Sequence, residues 1–168
     1  VAPARVDVGA GAVRLDVTSM SEASEAVAAA IGHFGRVDVL VNSAGASFKG
    51  FFEEMSPGQV DCQLAINLVG PMNVTRAMLP AMRRRRSGHV ISISSGAGLV
   101  GFEYSSVYAA SKAGLEGWMS ALGQEVAPFG IHTTIVNPGW FRTTLTSPAS
   151  LIWPDVYVAD YAERSAAQ

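Results

Sequence analysis

The sequence is poor in charge. Its 168 residues include 12 Lys and Arg and 14 Asp and Glu, which is 15% charged residues and a net charge of -2, against roughly 25% charged residues in an average soluble domain. A nucleic-acid-binding protein needs a basic surplus, so the composition argues against nucleic acid as a partner. Hydrophobic residues make up 49% of the chain and the mean hydropathy is +0.25, which excludes a disordered chain.

Cysteine and long apolar runs are also scarce. The single Cys62 excludes an internal disulfide framework, so a cytoplasmic, reducing location is the expectation. No apolar run approaches the roughly 18 residues of a membrane span, and no signal peptide opens the chain, so no membrane is expected. One cysteine and three histidines without zinc spacing predict no metal site. The G-x-S-x-G turn of a serine hydrolase is missing too.

What the sequence does contain is an alternation of strand-like and helical segments. Apolar runs at 12–17, 37–41, 89–95 and 131–136 predict strands, and Ser106 to Val126 predicts a long helix. This alternation is typical of an α/β protein with a parallel sheet and flanking helices. From Thr144 onward we expect no clear strand, although Asp155 to Arg164 could form a helix.

Tyr108 and Lys112 lie four residues apart on the long predicted helix and so share one face. A lysine charge about 5 Å away, at an effective dielectric of ~20, favours a tyrosinate by roughly 3 kcal/mol and lowers the tyrosine pKa by about 2. Such a tyrosine is suited to general acid-base chemistry. The alternative interpretation of the pair is a solvated helix face.

Polar residues follow the predicted strands at their carboxyl ends, where open α/β sheets bind ligands. Ser94 and Ser95, Asn42 and Asn137 all occupy such positions, and they predict a polar site at one edge of the sheet. The glycine pattern of residues 96–101 fits G-x-G-x-x-G. It lacks the immediate helix and the later acidic residue of a dinucleotide loop, and we do not interpret it as one.

Six short segments, in order and at matching spacing from about residue 12 to residue 145, resemble the short-chain dehydrogenase/reductase family. As a set they are specific, although no single segment is. Ser43 departs mildly from the family, which has a second Asn there. The segments are Leu15-Asp16-Val17-Thr18, Val41-Asn42-Ser43-Ala44-Gly45, Ile66-Asn67, Ile93-Ser94-Ser95, Tyr108-Ala109-Ala110-Ser111-Lys112, and Asn137-Pro138-Gly139 through Thr143.

The resemblance implies an oxidoreductase that transfers a hydride between NAD or NADP and a carbonyl or secondary alcohol. It implies that Tyr108 exchanges a proton with the substrate oxygen, that Ser95 hydrogen-bonds this oxygen, and that Asn67 completes a proton relay. Lys112 would lower the Tyr108 pKa and hold the nicotinamide ribose. The implied cofactor-binding residues are Asp16, Val17, Asn42, Ala44, Gly45, Tyr108, Lys112, Phe141 and Thr143.

The family's opening strand, glycine-rich turn and helix are not found in the sequence, and neither are its final helix and strand. We therefore expect residues 1–168 to form one partial domain, an incomplete doubly wound, Rossmann-like parallel sheet. The strand at 37–41 would then lie exposed as an apolar edge. Residues 144–168 are expected to form the substrate side. The preference between NAD and NADP cannot be predicted, because the discriminating strand is absent.

A second hypothesis from another functional class stays open, a non-catalytic remnant that serves as a binding or dimerisation module. The long helices at about 59–85 and 106–126 resemble those through which family members pair, which predicts a homodimer or homotetramer. Small residues at 113, 114, 117 and 121 would permit close helix contact. A small-molecule carbonyl or alcohol is the expected substrate, and an apolar one if the aromatic residues Phe102, Tyr104, Trp140, Phe141, Trp153 and Tyr157 line a pocket.

Overall fold

The computed structural model describes residues 11–139, 141, 143, 145 and 150–166. Strands and helices alternate along the chain, and short 3-10 turns lie at Phe52–Glu54, Gly96–Gly98, Ala127–Phe129 and Ala159–Tyr161. In chain order the main elements are α1 (Met20–Phe34), β1 (Val39–Asn42), β2 (Ser47–Phe48), α2 (Pro57–Leu64), a π-helical turn (Ala65–Val69), α3 (Gly70–Arg85), β3 (Gly88–Ile93), α4 (Ser106–Val126), β4 (Ile131–Val136), β5 (Leu151–Ile152) and α5 (Ala162–Ser165).

The main sheet is parallel, as predicted, with its strands in the order β1–β3–β4. Val39 pairs with His89 at the start of β1, and Gly88 pairs with Ile131 at the start of β3. Among the described strands β1 has a neighbour on one side only, and its Val39 and Val41 side chains are 48% and 52% exposed. The expected apolar edge is therefore present.

The prediction of a strand at 12–17 is wrong. Residues 11–16 have no regular structure, and a turn at Val17 and Thr18 leads into α1. A strand exists only where a neighbouring strand accepts its backbone hydrogen bonds, and no described strand lies beside this segment.

Ser19 and Glu22 at the start of α1 have the sequence spacing of a capping box, which forms only in part. The Ser19 side chain caps the Glu22 N–H as expected, but the Glu22 carboxylate accepts from the Asp16 N–H instead of the Ser19 N–H. The Glu22 side chain thereby joins the preceding turn to the first turn of the helix.

The main core lies between the sheet and helices α3 and α4. Leu115, Met119, Leu122 and Val126 follow the 3.6-residue period of α4 and are buried, and the helix has the predicted bounds. Its apolar face packs with buried residues of α3 and the strands, and α1 covers α3 from outside.

Helices α2 and α3 form one continuous helical stretch broken by the π-helical turn. A capping box between Ser56 and Gln59 starts α2, with Pro57 in the first turn as predicted. The turn stands just before Pro71, whose missing N–H interrupts the helical ladder. Single π-helical turns are frequent at functional sites, and this one contains Asn67.

The expectation that no strand follows Thr144 is wrong, because β5 pairs in parallel with β2. Only two residues contribute from each strand, too few to give a hydrophobic pattern in the sequence. A second cluster of buried residues, including Phe48, Met55 and Val107, lies beside this pair with Ile152 against it. The expected helix at 155–164 is reduced to a 3-10 turn and the short α5.

Two further expectations concern the helices, namely the small residues of α4 and the search for membrane-spanning helices. Of the small residues proposed for helix pairing, Gly114 packs on Leu68 of the π-helical turn, whereas Ala113, Gly117 and Ala121 are exposed. No helix within the described ranges is long and apolar enough to cross a membrane.

Candidate active site

The carboxyl ends of β1, β3 and β4 meet at one edge of the sheet, where the sequence predicted a polar site. Ser94 and Ser95 follow β3, and Asn137 follows β4. The Ser94 N–H donates to the Val136 carbonyl at 2.8 Å, which continues the strand pairing up to this edge. Helix α4 begins beside it and carries Tyr108 and Lys112.

The Ser95 hydroxyl lies near enough to the Tyr108 hydroxyl to lower its pKa by hydrogen bonding. Ser95 also caps the 3-10 turn at Gly96–Gly98, because its Oγ accepts from the Ala97 N–H at 3.2 Å. The serine is held by this turn, and the tyrosine by the first turns of α4. The two hydroxyl groups that the sequence singled out thus lie together.

Lys112 is 95% buried and its ammonium donates to the Ile93 carbonyl at 2.8 Å. The Nζ atom lies 5.8 Å from the centre of the Tyr108 ring. Burial lowers the pKa of Lys112 to about 8, and the nearby Glu116 carboxylate acts in the opposite direction. The lysine is therefore a cation near neutral pH, placed beneath the tyrosine.

The pKa of Tyr108 departs from the expectation. Burial raises it above the usual tyrosine value, and the hydrogen bond from Ser95 offsets this only in part. Removal of the phenol from water is the largest cause of the Tyr108 pKa shift. The Lys112 charge, which the four-residue spacing led us to expect, is not among the causes. Burial of the phenol therefore dominates the Tyr108 pKa in this structure.

Asn67 is fully buried and all of its side-chain contacts are structural. Its Oδ1 accepts from the Ala46 N–H at 2.9 Å, and its Nδ2 donates to the Ala46 carbonyl at 3.0 Å and to Ser111 Oγ at 3.1 Å. Ser111 in turn donates to the Tyr108 carbonyl at 2.7 Å. The amide ties the loop after β1 to the helix turn that carries Tyr108.

Gln63, which the sequence analysis missed, repeats this arrangement one turn earlier. It is fully buried, accepts from the Phe48 N–H at 2.9 Å and donates to the Ala46 carbonyl at 2.8 Å. Together the two amides bind the backbone of 46–48 as a neighbouring strand would. The i, i+4 spacing of two amide side chains before the predicted site was the available signal.

Asn42 is placed differently from the expectation. Its side chain is buried and donates to Thr75 Oγ1 at 3.0 Å and to Ser92 Oγ at 3.2 Å. These bonds join β1 to α3 and β3 inside the core. The Asn42 side chain is thus engaged within the core.

Asp16 and Val17 lie in a turn against the start of α3. The Thr18 hydroxyl and N–H donate to the Asp16 carboxylate at 2.7 and 2.9 Å and lower its pKa. Asn73, which the sequence analysis also missed, donates to the Val17 carbonyl at 3.1 Å. The turn can approach α3 because Gly70 has no side chain, since a Cβ there would lie 2.6 Å from Val17 Cγ2.

The remaining predicted cofactor residues are exposed. Ala44 and Gly45 follow β1 with open backbone, and the nearest atom to a Cβ on Gly45 would be Asn67 Oδ1 at 3.5 Å. Phe141 is 69% exposed, and Thr143 accepts from the Leu145 N–H at 3.3 Å. Trp140, one of the predicted pocket residues, lies outside the described residues.

These features fit a nicotinamide cofactor. The Lys112 ammonium makes one hydrogen bond within the described part of the chain, which leaves two N–H donors for ribose hydroxyls. The backbone at 44–45 and the Asp16 carboxylate are uncovered. Across the described ranges, no group of three His, Cys, Asp or Glu side chains could hold a metal ion.

A cleft of about 390 Å³ lies near the N-terminus of α4. Phe102 and Tyr104 line it as predicted, together with Phe51 and, from the C-terminal segment, Tyr161 and Arg164. The Tyr161 ring stacks on the Phe51 ring with 4.3 Å between the ring centres. The Arg164 guanidinium lies 4.7 Å from the centre of the Phe51 ring. The side chains of Phe141, Trp153 and Tyr157 are exposed and lie outside this cleft.

Comparison with known proteins gives a consistent result. The family model described as short chain dehydrogenase matches residues 4–151. A 3-ketodihydrosphingosine reductase from Bacteroides thetaiotaomicron is 38% identical over 156 residues, which cover 91% of this chain and 58% of the relative. Dehydrogenase/reductase SDR family member 7B from Bos taurus is 42% identical over 67% of this chain and 35% of its own length.

Solved structures agree in both fold and sequence. A short-chain dehydrogenase from Streptomyces avermitilis superimposes with a TM-score of 0.81 and 42% identity, over 90% of this chain and 56% of that one. ElxO with NADP bound gives a TM-score of 0.76 and 32% identity, over 79% of this chain and 54% of that one. The chain thus spans little more than half the length of these structures, and its sheet is part of their Rossmann fold. It belongs to the short-chain dehydrogenase/reductase family.

Proposed function

We propose that the protein transfers a hydride between NAD or NADP and a carbonyl or secondary alcohol, with Tyr108 as the acid-base residue. The observation that carries the proposal is the cluster of Tyr108, Ser95 and Lys112 at one sheet edge. The Ser95 hydroxyl acts on the Tyr108 pKa, and the buried ammonium lies 5.8 Å from the centre of the phenol ring. A structural role alone does not need a buried cation beside a buried phenol, because burying each of them costs free energy.

When bound, the nicotinamide supplies or accepts the hydride. In the reductive direction Tyr108 gives its phenolic proton to the substrate oxygen while a C–H bond forms at the carbonyl carbon. Ser95 donates a hydrogen bond to the same oxygen and fixes the carbonyl beside the phenol. The positive charge of Lys112 favours the tyrosinate that remains, and this stabilisation matters most while negative charge develops.

Lys112 would also hold the ribose next to the nicotinamide through its free N–H donors. We propose that Asp16, Val17, Ala44 and Gly45 receive the adenosine part, because Asp16, Ala44 and Gly45 are exposed and Val17 is half-buried beside Asp16. Phe141 and Thr143 would hold the carboxamide. Asn67 acts in this proposal through its backbone and through the placement of the loop after β1, since its side-chain groups are already engaged.

We further propose that the cleft lined by Phe51, Phe102 and Tyr104 receives an apolar part of the substrate, with the C-terminal segment as its far wall. This retains the expected substrate side at 144–168, because Tyr161 and Arg164 belong to that wall. An ion pair between Arg164 and Glu103 joins the wall to the loop before α4.

The test is the Tyr108→Phe variant of the complete protein, assayed by oxidation of NADH or NADPH with a panel of aliphatic and aromatic ketones. Loss of a general acid lowers turnover by roughly 100-fold or more, whereas cofactor affinity measured by fluorescence titration should stay within about threefold, because the variant leaves the Lys112 donors in place.

Tyr157→Phe is the matched control, since its ring is 74% exposed and lies outside the cleft. Turnover of Tyr108→Phe equal to that of the control would refute the assigned role. A native protein that binds cofactor but reduces no ketone and oxidises no alcohol would favour the non-catalytic module instead.

A further inference from the structure

Glu116 lies one helical turn after Lys112 on α4, outside the group of side chains that forms the proposed site. Its Oε1 atom is buried and accepts no hydrogen bond from any described group. A buried carboxylate oxygen without a donor is costly, so such a group calls for an explanation. The i, i+4 spacing places Glu116 on the face of α4 that carries Lys112.

The turn that carries Ser95 packs directly on these two residues. A Cβ added to Gly98 would lie 3.0 Å from the Lys112 carbonyl carbon and 3.2 Å from Glu116 Cγ. The Glu116 side chain is thus half-buried beside the 96–98 turn, with its Oε1 atom out of contact with water.

The other groups that face Lys112 are neutral at physiological pH. Strand β3 offers the Ile93 carbonyl, and α4 offers the Tyr108 ring. Within the described residues, Glu116 is the one charged group that acts on the ammonium. The two charges make no ion pair within 4 Å, so the interaction acts through space.

We propose that Glu116 is a positioning residue whose negative charge keeps the buried Lys112 protonated under working conditions. Lys112 can stabilise a tyrosinate and donate to ribose hydroxyls only as an ammonium ion, and burial works against that state. The consequence for turnover rests on the proposed function, whereas the coupling between the two charges does not.

The two lysines of the sequence, Lys49 and Lys112, make a direct measurement practical. In protein labelled with ¹³C-lysine, the Cε resonances are followed from pH 6 to pH 11, and the Lys112→Arg variant assigns them. The native Lys112 signal should titrate near pH 8, the value that its burial sets. In Glu116→Gln its midpoint should fall by roughly one pH unit, the effect of one charge a helical turn away.

Lys49 serves as the internal control, because burial alone lowers its pKa and Glu116 does not act on it. Glu125→Gln is the matched variant, an exposed carboxylate on the same helix, and it should leave both midpoints unchanged. Glu116→Asp retains the negative charge, so its Lys112 midpoint should lie close to that of the native protein. Glu116→Ala replaces Glu116→Gln if the latter does not fold.

An unchanged Lys112 midpoint in a folded Glu116→Gln or Glu116→Ala variant would overturn the proposal, as would an equal shift in Glu125→Gln. The result is read without any turnover, so it is distinguishable from a failure of the proposed function. If the protein is active, the alkaline limb of kcat/KM for reduction should move to lower pH in the same variants.

Discussion

Replacement of Asn67 by alanine tests how the loop after β1 is held at the site. The change removes three hydrogen bonds of 2.9–3.1 Å and leaves the buried Ala46 N–H without a partner, whereas the Ala46 carbonyl keeps its bond from Gln63. At about 1 kcal/mol for each bond, the free energy of unfolding should fall by about 3 kcal/mol. The small cavity left by the truncated side chain acts in the same direction.

The assay is urea unfolding followed by tryptophan fluorescence, since Trp118 packs against the main core. Asn73→Ala is the matched control. Asn73 also donates to two backbone carbonyls, at 3.1 and 3.3 Å, but it is only half-buried, so its loss should be about 1 kcal/mol or less. A loss for Asn67→Ala no larger than that of the control would refute the claim that these bonds hold the loop.

Two further predictions concern stability. The pKa of Lys112 is about 8 in the folded protein and near 10.5 in the unfolded chain. Between pH 8 and pH 10.5 the unfolded chain therefore binds more protons than the folded protein, so the free energy of unfolding should rise with pH in this range. The increase in unfolding free energy due to this group is at most about 3 kcal/mol and should be absent in Lys112→Met. It is measured by urea unfolding of both proteins at a series of pH values. Parallel pH dependences for the two proteins would contradict the prediction. Gly70→Ala should destabilise by about 1–3 kcal/mol because its Cβ would lie 2.6 Å from Val17 Cγ2. Val17→Ala in the same chain should recover most of this loss, and a double-mutant cycle with no coupling would show that the contact is not the cause.

Long periodic patterns of apolar residues predicted the secondary structure most reliably. Helix α4 has its predicted bounds because four buried apolar residues repeat at helical spacing. The strands predicted at 37–41, 89–95 and 131–136 form the parallel sheet, and the first of them, β1, lies at an exposed edge as expected. Residues 12–17 carry the same kind of apolar alternation but form no strand. A sequence pattern reports which face is apolar, whereas pairing depends on what lies alongside.

Within the site, chemistry-bearing residues were easier to predict than the groups that hold them. Tyr108, Ser95 and Lys112 come together as expected, and their assigned roles remain proposals. The Asn42 side chain lies in the core, and the Tyr108 pKa moves opposite to the expectation. Both differences arise from burial, which the spacing of residues along one helix cannot convey. Gln63, which binds the loop beside Asn67, was missed because its partners are backbone atoms, and the i, i+4 spacing of the two amides was the only mark in the sequence.

The pairing of β2 with β5 has a consequence for folding. The elements from β1 to β4 contact their neighbours along the chain, whereas β2 and β5 join segments about a hundred residues apart. Closing so long a loop for two residues of strand pairing is entropically costly until the rest of the sheet exists. We therefore expect the far wall of the cleft to dock late during folding, once the sheet and the residues 53–59 that bind it are in place.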